Sequence, residues 1–224
     1  MASGTARLPL VIASGNAGKI REFAGLLSEL PLEIRRQPGG LEVEETGLTF
    51  AENARLKAVA VARASRCWAL ADDSGLSVTA LEGAPGVQSA RYGATDRERI
   101  DRLLRELAAA NGRRWNAGLP EDRSAHFTAA LAMADPAGLI RLEVEGYCPG
   151  EILAVPRGEG GFGYDSVFLV PELGLSFAEM DKATKASVGH RGRAFALLEP
   201  RLRELLAGQA APGSRWIRPE DAAG

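Results

Sequence analysis

Six apolar residues, Leu8 to Ala13, lead without a break into Ser14-Gly15-Asn16. Beyond them Ile20, Phe23, Leu26, Leu27 and Leu30 recur on one helical face. This change of period, from a continuous apolar run to a repeat near 3.6 residues, predicts a strand, a tight loop and a helix in that order. Thr49 and Glu52 have capping-box spacing ahead of an Ala- and Val-rich stretch that reaches about Ser65, which predicts a second helix. A short strand follows, Trp68 to Ala71. It runs straight into Asp72-Asp73-Ser74-Gly75, so two carboxylates are expected where a buried strand surfaces. Strand and helix signals in alternation place the chain in the α/β class.

Thr95 and Glu98 form a second capping-box pair, and Ile100, Leu103, Leu104 and Leu107 share the inner face of the helix it opens. Asn111 to Arg123 is polar, rich in Gly and Arg, and contains Pro120, which reads as a surface loop. Two strands are expected at His126–Ala134 and Leu139–Tyr147, joined by the turn signal Asp135-Pro136-Ala137-Gly138. A glycine cluster at 158–163 then precedes an apolar strand, Val167 to Val170. Gly192 to Ala207 reads as helix, kinked or divided at Pro200. No internal repeat is present.

With 224 residues, 46% of them hydrophobic, the chain can bury a core in one domain or two closely joined lobes. Residues 1–209 read as one domain and 210–224 as a small, polar, flexible tail. A formal net charge of -2 provides no global basic field, so a polyanion must be met by locally placed cations, and broad nucleic-acid binding is disfavoured. Cys67 and Cys148 stand far apart without metal-type spacing, which argues against a disulfide framework and against structural zinc. The opening apolar run is too short for the core of a signal peptide or for a membrane span, so a reducing cytoplasm is the expected compartment.

Only four of the 27 basic residues are lysine: Lys19, Lys57, Lys182 and Lys185. An arginine-biased genome would leave such a remainder, but the positions are suggestive. Lys19 closes Ser14-Gly15-Asn16-Ala17-Gly18-Lys19, a loop between a strand and a helix N-terminus, where backbone N–H groups and the helix dipole favour phosphate. An ordinary strand-to-helix turn with an exposed lysine would read the same way. It is not a P-loop of the usual kind, which requires Gly and Ser or Thr where this chain has Ala13 and Ile20. Gly158, Gly160 and Gly163 spell a literal G-x-G-x-x-G. A strand rather than a helix is expected after it, so it cannot hold a pyrophosphate as a dinucleotide fold does. It remains suited to close approach of a ligand, with Phe162 able to stack on a flat base and Asp165 able to accept from a ring N–H.

The acids carry the chemistry. Asp72 and Asp73 at a strand end, and Glu44-Glu45 ahead of a helix, are carboxylates from separate segments of a kind that can share magnesium, although single acidic pairs are often no more than solvated turns. Lys185, His190 and Arg191 lie together ahead of the last helix as three potential phosphate donors, unless they are simply a basic surface patch. His126, isolated on a strand, is read as packed or surface, and two histidines without a His-x-x-x-His pattern do not make a zinc hydrolase.

Taken in order, five stretches resemble the inosine triphosphate pyrophosphatase family of noncanonical purine nucleotide hydrolases: ASGNAGKIREF from Ala13, EETGLTFAENARLKA from Glu44, LADDSGLSVTALEGAPGVQSARYG from Leu70, GEGGFGYDSVF from Gly158 and KASVGHRGRA from Lys185. Three of the four lysines fall inside them. The resemblance implies an elongated mixed β-sheet with flanking helices, two lobes enclosing a substrate cleft, and a homodimer. It implies hydrolysis of the triphosphates of inosine, deoxyinosine and xanthosine to monophosphate and pyrophosphate, with Mg2+ as cofactor. Residue by residue, it implies that the loop from Ser14 through Gly15, Asn16, Ala17 and Gly18 to Lys19 holds phosphates, with Lys57 supporting the charged site. Glu45 and Asp73 would bind the metal. Asp73 would also activate water, with Asp72 assisting and Ser74 touching substrate. Phe162, Gly163, Tyr164 and Asp165 would form the base pocket, and Lys185, His190 and Arg191 would complete the contacts.

One departure stands out: the family usually has Ser-His-Arg where this chain has Gly189-His190-Arg191, so a hydroxyl is missing; if that hydroxyl bonds the purine ring, preference for hypoxanthine or xanthine over guanine relaxes, unless backbone N–H groups of the glycine serve in its place. A nucleotide-binding protein without hydrolysis is the main rival reading, opposed by the intact Asp72, Asp73 and Glu45. A dinucleotide-dependent oxidoreductase lacks the strand-to-helix context it needs.

Overall fold

The computed structural model describes residues 7–209; the tail expected at 210–224 lies outside the described residues. Seven strands form one sheet: β1 (Leu8–Ala13), β2 (Leu32–Arg36), β3 (Trp68–Val78), β4 (Ser124–Ala134), β5 (Ile140–Ile152), β6 (Phe168–Val170) and β7 (Leu175–Ser176). Their order is β2-β1-β3-β4-β5-β6-β7. The sheet is mixed, since β1 runs parallel to both β2 and β3 while β6 is antiparallel to β5 and β7. The helices are α1 (Ala17–Leu26), α2 (Phe50–Ser65), α3 (Asp96–Asn116), α4 (Lys182–Val188) and α5 (His190–Gln209). None of the described helices is long and apolar enough to cross a membrane.

The chain divides into two compact units, and β3, β4 and β5 each contribute residues to both. The first unit holds the chain up to Asp73, Ala130–Glu145 and the part from Ala194; the second holds Ser74–Ala129 and Gly146–Arg193. In the first, Ala54, Ala58, Val61 and Ala62 of α2 share a core with Ala69 and Ala71 of β3 and Ala130, Ala132 and Ala134 of β4. Methyl groups facing methyl groups fill space only if helix and sheet approach closely, and that approach sets the reach of polar side chains on α2. The helix starts where the sequence says it should. Thr49 accepts from the Glu52 N–H while the Glu52 carboxylate accepts from the Thr49 N–H, a complete capping box.

The second unit is built from larger side chains. Ile100, Leu103 and Leu107 of α3 pack with Phe127, Tyr164, Phe168 and Phe177, and the Phe127 and Phe168 rings meet edge-on at 4.7 Å between centroids. At the turn between β4 and β5, Asp135 Oδ1 accepts from the N–H groups of Ala137 and Leu139, and Gly138 takes a φ of 82°.

Several expectations need correction. Strand β3 does not end at Ala71 but continues to Val78, so Asp72 and Asp73 lie within a strand at 3% and 7% exposure rather than where it surfaces. The loop expected at 111–123 is helical as far as Asn116. Asn111 is buried, donating to the Asp122 carbonyl at 3.1 Å and accepting from its N–H at 2.9 Å, which pins the returning chain to α3. The strand expected from Val167 begins at Phe168, preceded by a single 3-10 turn at Asp165–Val167. Helix α5 starts two residues earlier than expected and runs through Pro200 undivided. Strands β2 and β7 and helix α4 had no expectation at all. The alternation Leu32-Glu33-Ile34-Arg35 in β2 is only four residues long, β7 has two residues, and no residue of α4 is buried, so each signal is short or absent.

Candidate functional site

In the first unit, the register between β1 and β3 ends at Ala13 opposite Ala71. Strand β1 is connected through α1 to β2 on one side, while β3 pairs it on the other and leads away to β4. Adjacent parallel strands whose connections depart in opposite directions leave a crevice beyond their carboxyl ends, the usual place for a ligand in open α/β sheets. Ser14 follows the end of β1 there, while Asp72 follows Ala71 within β3, which runs on to Val78.

The loop after β1 is locally tied. Asn16 is the N-cap of α1, its Oδ1 accepting from the N–H groups of Gly18 at 2.8 Å and Lys19 at 3.2 Å, and Ser14 Oγ accepts from Asn16 N–H at 3.1 Å. The backbone donors expected to be available for phosphate are therefore partly engaged by side chains of the same loop. Neighbouring residues of a strand point to opposite faces, so Asp72 and Asp73 meet different lysines. Lys19 Nζ lies 2.8 Å from Asp72 Oδ2. Lys57 Nζ, from α2, donates to Glu45 Oε1 at 2.7 Å, Asp73 Oδ1 at 2.8 Å and the Asp72 carbonyl at 2.9 Å. Three acceptors match the three donors of an ammonium.

Burial raises the Asp73 carboxyl above the ordinary aspartate range; Lys57 and Lys19 pull it down without prevailing, and the nearby Glu45 charge adds to the rise. Burial works against the Lys57 ammonium, yet Asp73 and Glu45 more than offset it and hold its pKa above that of an ordinary lysine. The pair thus joins an aspartate that is more basic than usual to a lysine that holds its proton more tightly than usual.

No group of three or more metal-ligating side chains occurs among the described residues. Magnesium, however, takes one or two protein carboxylates and completes its shell with phosphate and water. Glu45 and Asp73, two carboxylates brought to one cation, have the donor chemistry for it. Two residues that sequence reasoning missed hold Glu45's segment in place. Asn53, 1% exposed, accepts from the Gly47 N–H at 2.8 Å, and a Cβ on Gly47 would stand 2.6 Å from that of Glu52. The available signal was an asparagine beside Ala54 on the buried face of an alanine-rich helix.

In the second unit, Lys185 Nζ lies 2.7 Å from Asp165 Oδ2, and the same oxygen accepts from Phe162 N–H at 2.9 Å. Lys185 Nζ is 5.0 Å and Arg191 Cζ 5.5 Å from the centroid of the Phe162 ring, both at cation–π distance. Arg191 Nη2 donates to Ser74 Oγ at 2.6 Å. Tyr164 donates to the Ser89 carbonyl at 2.9 Å, and burial pushes its phenol well above the usual range. His190 is 3% exposed and stacks on Phe127 at 4.6 Å and 11°. The single loop expected to present Lys185, His190 and Arg191 does not exist: Lys185 is on α4, and the other two open α5. Gly189 lies at that junction, and a Cβ there would stand 2.6 Å from the Lys185 carbonyl oxygen.

The Ham1 family model matches residues 10–201. The chain is 59% identical over 200 residues to the dITP/XTP pyrophosphatase of Parasynechococcus marenigrum strain WH8102, covering 89% of this chain and 97% of that protein. It is 53% identical over 201 residues to the enzyme of the same name from Nostoc sp. strain PCC 7120, covering 90% and 97%. Among solved structures it resembles a HAM1 protein from Coxiella burnetii, with a TM-score of 0.78 and 41% identity over 88% of this chain and 99% of that one. The Ham1 protein of Staphylococcus aureus follows, with a TM-score of 0.74 and 37% identity at the same coverage.

Proposed function

Since this chain belongs to the Ham1 family, we propose that it hydrolyses noncanonical purine nucleoside triphosphates, those of inosine, deoxyinosine and xanthosine, to the monophosphate and pyrophosphate. The observation that carries the reading is the buried pair of aspartates on β3, each matched to its own lysine, with Asp73 made more basic by burial. A carboxylate whose proton affinity is raised toward the working pH is a better general base. In this reading Asp73 takes the proton from a water that attacks the α-phosphorus, the bond to the bridging oxygen breaks, and pyrophosphate leaves with the electron pair. Asp72 keeps Lys19 in place, and Lys19 and Lys57 neutralise phosphate charge. Glu45 and Asp73 would hold magnesium, which when bound supplies charge neutralisation at the phosphates and an ordered water.

Base selection falls to the second unit. Phe162 offers an aromatic face, and the ammonium of Lys185 beside it donates to an oxo group at C6; adenine presents an amino group there and leaves that buried donor unmatched. Asp165 Oδ2 already accepts two hydrogen bonds, so its part in reading the base runs through Lys185. We also propose that the protein works as a homodimer in a reducing cytoplasm, where the buried thiols of Cys67 and Cys148 stay reduced.

The test is product analysis by chromatography after incubation with the triphosphates of inosine, xanthosine, adenosine and guanosine, with and without magnesium. Magnesium-dependent monophosphate and pyrophosphate from the triphosphates of inosine and xanthosine, in preference to that of adenosine, is the expected result. Diphosphate, free phosphate or no product would overturn it.

A further inference from the structure

The glycine segment 158–163 has neither strand nor helix to define it, and Gly158, Gly161 and Gly163 all sit in the left-handed region, with φ of 80°, 78° and 64°. What fixes it is where its N–H groups go. Gly160 donates to the Ala178 carbonyl at 3.1 Å and Phe162 to Asp165 Oδ2 at 2.9 Å. Gly163 donates to Asp96 Oδ2 at 2.7 Å. Asp96 lies 67 residues away, as the first residue of α3. Its other oxygen faces Arg99 Nη1 at 2.6 Å, and Arg99 Nε in turn donates to the Gly93 carbonyl at 3.0 Å. The carboxylate is thus oriented by an arginine on a helix whose Ile100, Leu103 and Leu107 are in the core.

An acidic residue in the first turn of a helix is ordinarily explained by the helix dipole. That accounts for a carboxylate near the N–H groups of α3, not for one aimed at Gly163. We propose that Asp96 is a positioning residue: it anchors the glycine segment to α3 and so fixes the ring of Phe162, which is held on its other side by Asp165. The proposal rests on the reading of Phe162 as the base platform. Loss of the anchor weakens nucleotide binding without touching the groups that move protons. The Asp96 side chain is 47% exposed, which keeps the effect to the scale of one solvent-screened hydrogen bond.

The test compares Asp96→Ala, Asp96→Asn and Glu98→Ala, the last perturbing the same helix start through the Ala94 N–H without contacting Gly163. Amide hydrogen exchange across residues 158–163 and the kinetics of inosine triphosphate hydrolysis are read for each. For Asp96→Ala, faster exchange and a KM raised about fivefold at nearly constant kcat are expected, the worth of one hydrogen bond. Asp96→Asn keeps an acceptor for Gly163 and recovers most of the KM; Glu98→Ala changes neither readout. Unchanged exchange in Asp96→Ala, or an equal rise in KM from Glu98→Ala, overturns the proposal. If the wild type releases no pyrophosphate, the proposed function falls, while the exchange result still decides whether the anchor exists.

Discussion

Each unit buries lysine–aspartate contacts, but the surroundings differ. In the first, Lys19 and Lys57 meet Asp72 and Asp73 beside a core of alanine and valine, where short side chains bring helix and sheet together and hold the charges. In the second, Lys185 meets Asp165 beside the rings of Phe162 and Phe177, with Arg191 near Phe162 as well. In the proposed function the same chemical pair serves two purposes. Closely held carboxylates among small residues suit metal, phosphate and proton transfer; an ammonium framed by aromatic rings suits recognition of a flat heterocycle. On the proposed function, the difference makes charge placement and base reading separable, and substitutions should pull them apart.

The largest expected effect is that of Asp73→Asn. It keeps shape and removes the base, so the rate of pyrophosphate release should fall by about two orders of magnitude or more. A loss confined to KM would move Asp73 out of the chemistry. Next is Lys185→Met, which takes the ammonium from a carboxylate that is only 4% exposed as a residue. Breaking a buried pair in this way costs about 3 kcal/mol, visible as a lower denaturant midpoint, and the rate ratio of inosine to adenosine triphosphate should drop at the same time. If the ratio holds, base reading belongs to some other group.

A third test uses pH. Burial holds the carboxyl needed as base above an ordinary aspartate, so the acid limb of kcat/KM should lie at higher pH than an ordinary aspartate would give. Lys57 lowers the Asp73 pKa, whereas burial and Glu45 raise it. Lys57→Met therefore moves the acid limb to higher pH, and a limb that stays in place would detach it from Asp73. The smallest effect is that of Gly189→Ser. Its Cβ would crowd the Lys185 carbonyl, and relief requires a shift in the last turn of α4 costing about 1–3 kcal/mol. Thermal unfolding measures the cost, and activity with guanosine triphosphate shows whether the junction tunes selectivity.

Much of this was legible in the sequence for reasons that can be named. The capping box at Thr49 and Glu52 depends on two side chains three residues apart, which sequence spacing shows directly. The change of period after Ala13 marked β1 and α1 in the same way. What stayed hidden depends on tertiary partners. A run such as Leu70-Ala71-Asp72-Asp73 looks like a strand ending, because adjacent acids are normally solvated; only lysines from two helices allow β3 to continue through them. The loop expected at 111–123 failed similarly, since Asn111 and Gly112 weaken a helix locally while the bonds of Asn111 to Asp122 restore what they lose. Asp96, at a helix start, could not be told from an ordinary dipole charge without its partner Gly163.

The most direct test of the central claim is hydrolysis of inosine triphosphate in water enriched in oxygen-18, with mass analysis of both products. Attack on the α-phosphorus, as proposed, places one labelled oxygen in the monophosphate and none in the pyrophosphate. Label in the pyrophosphate would mean attack at the β-phosphorus and would contradict the account.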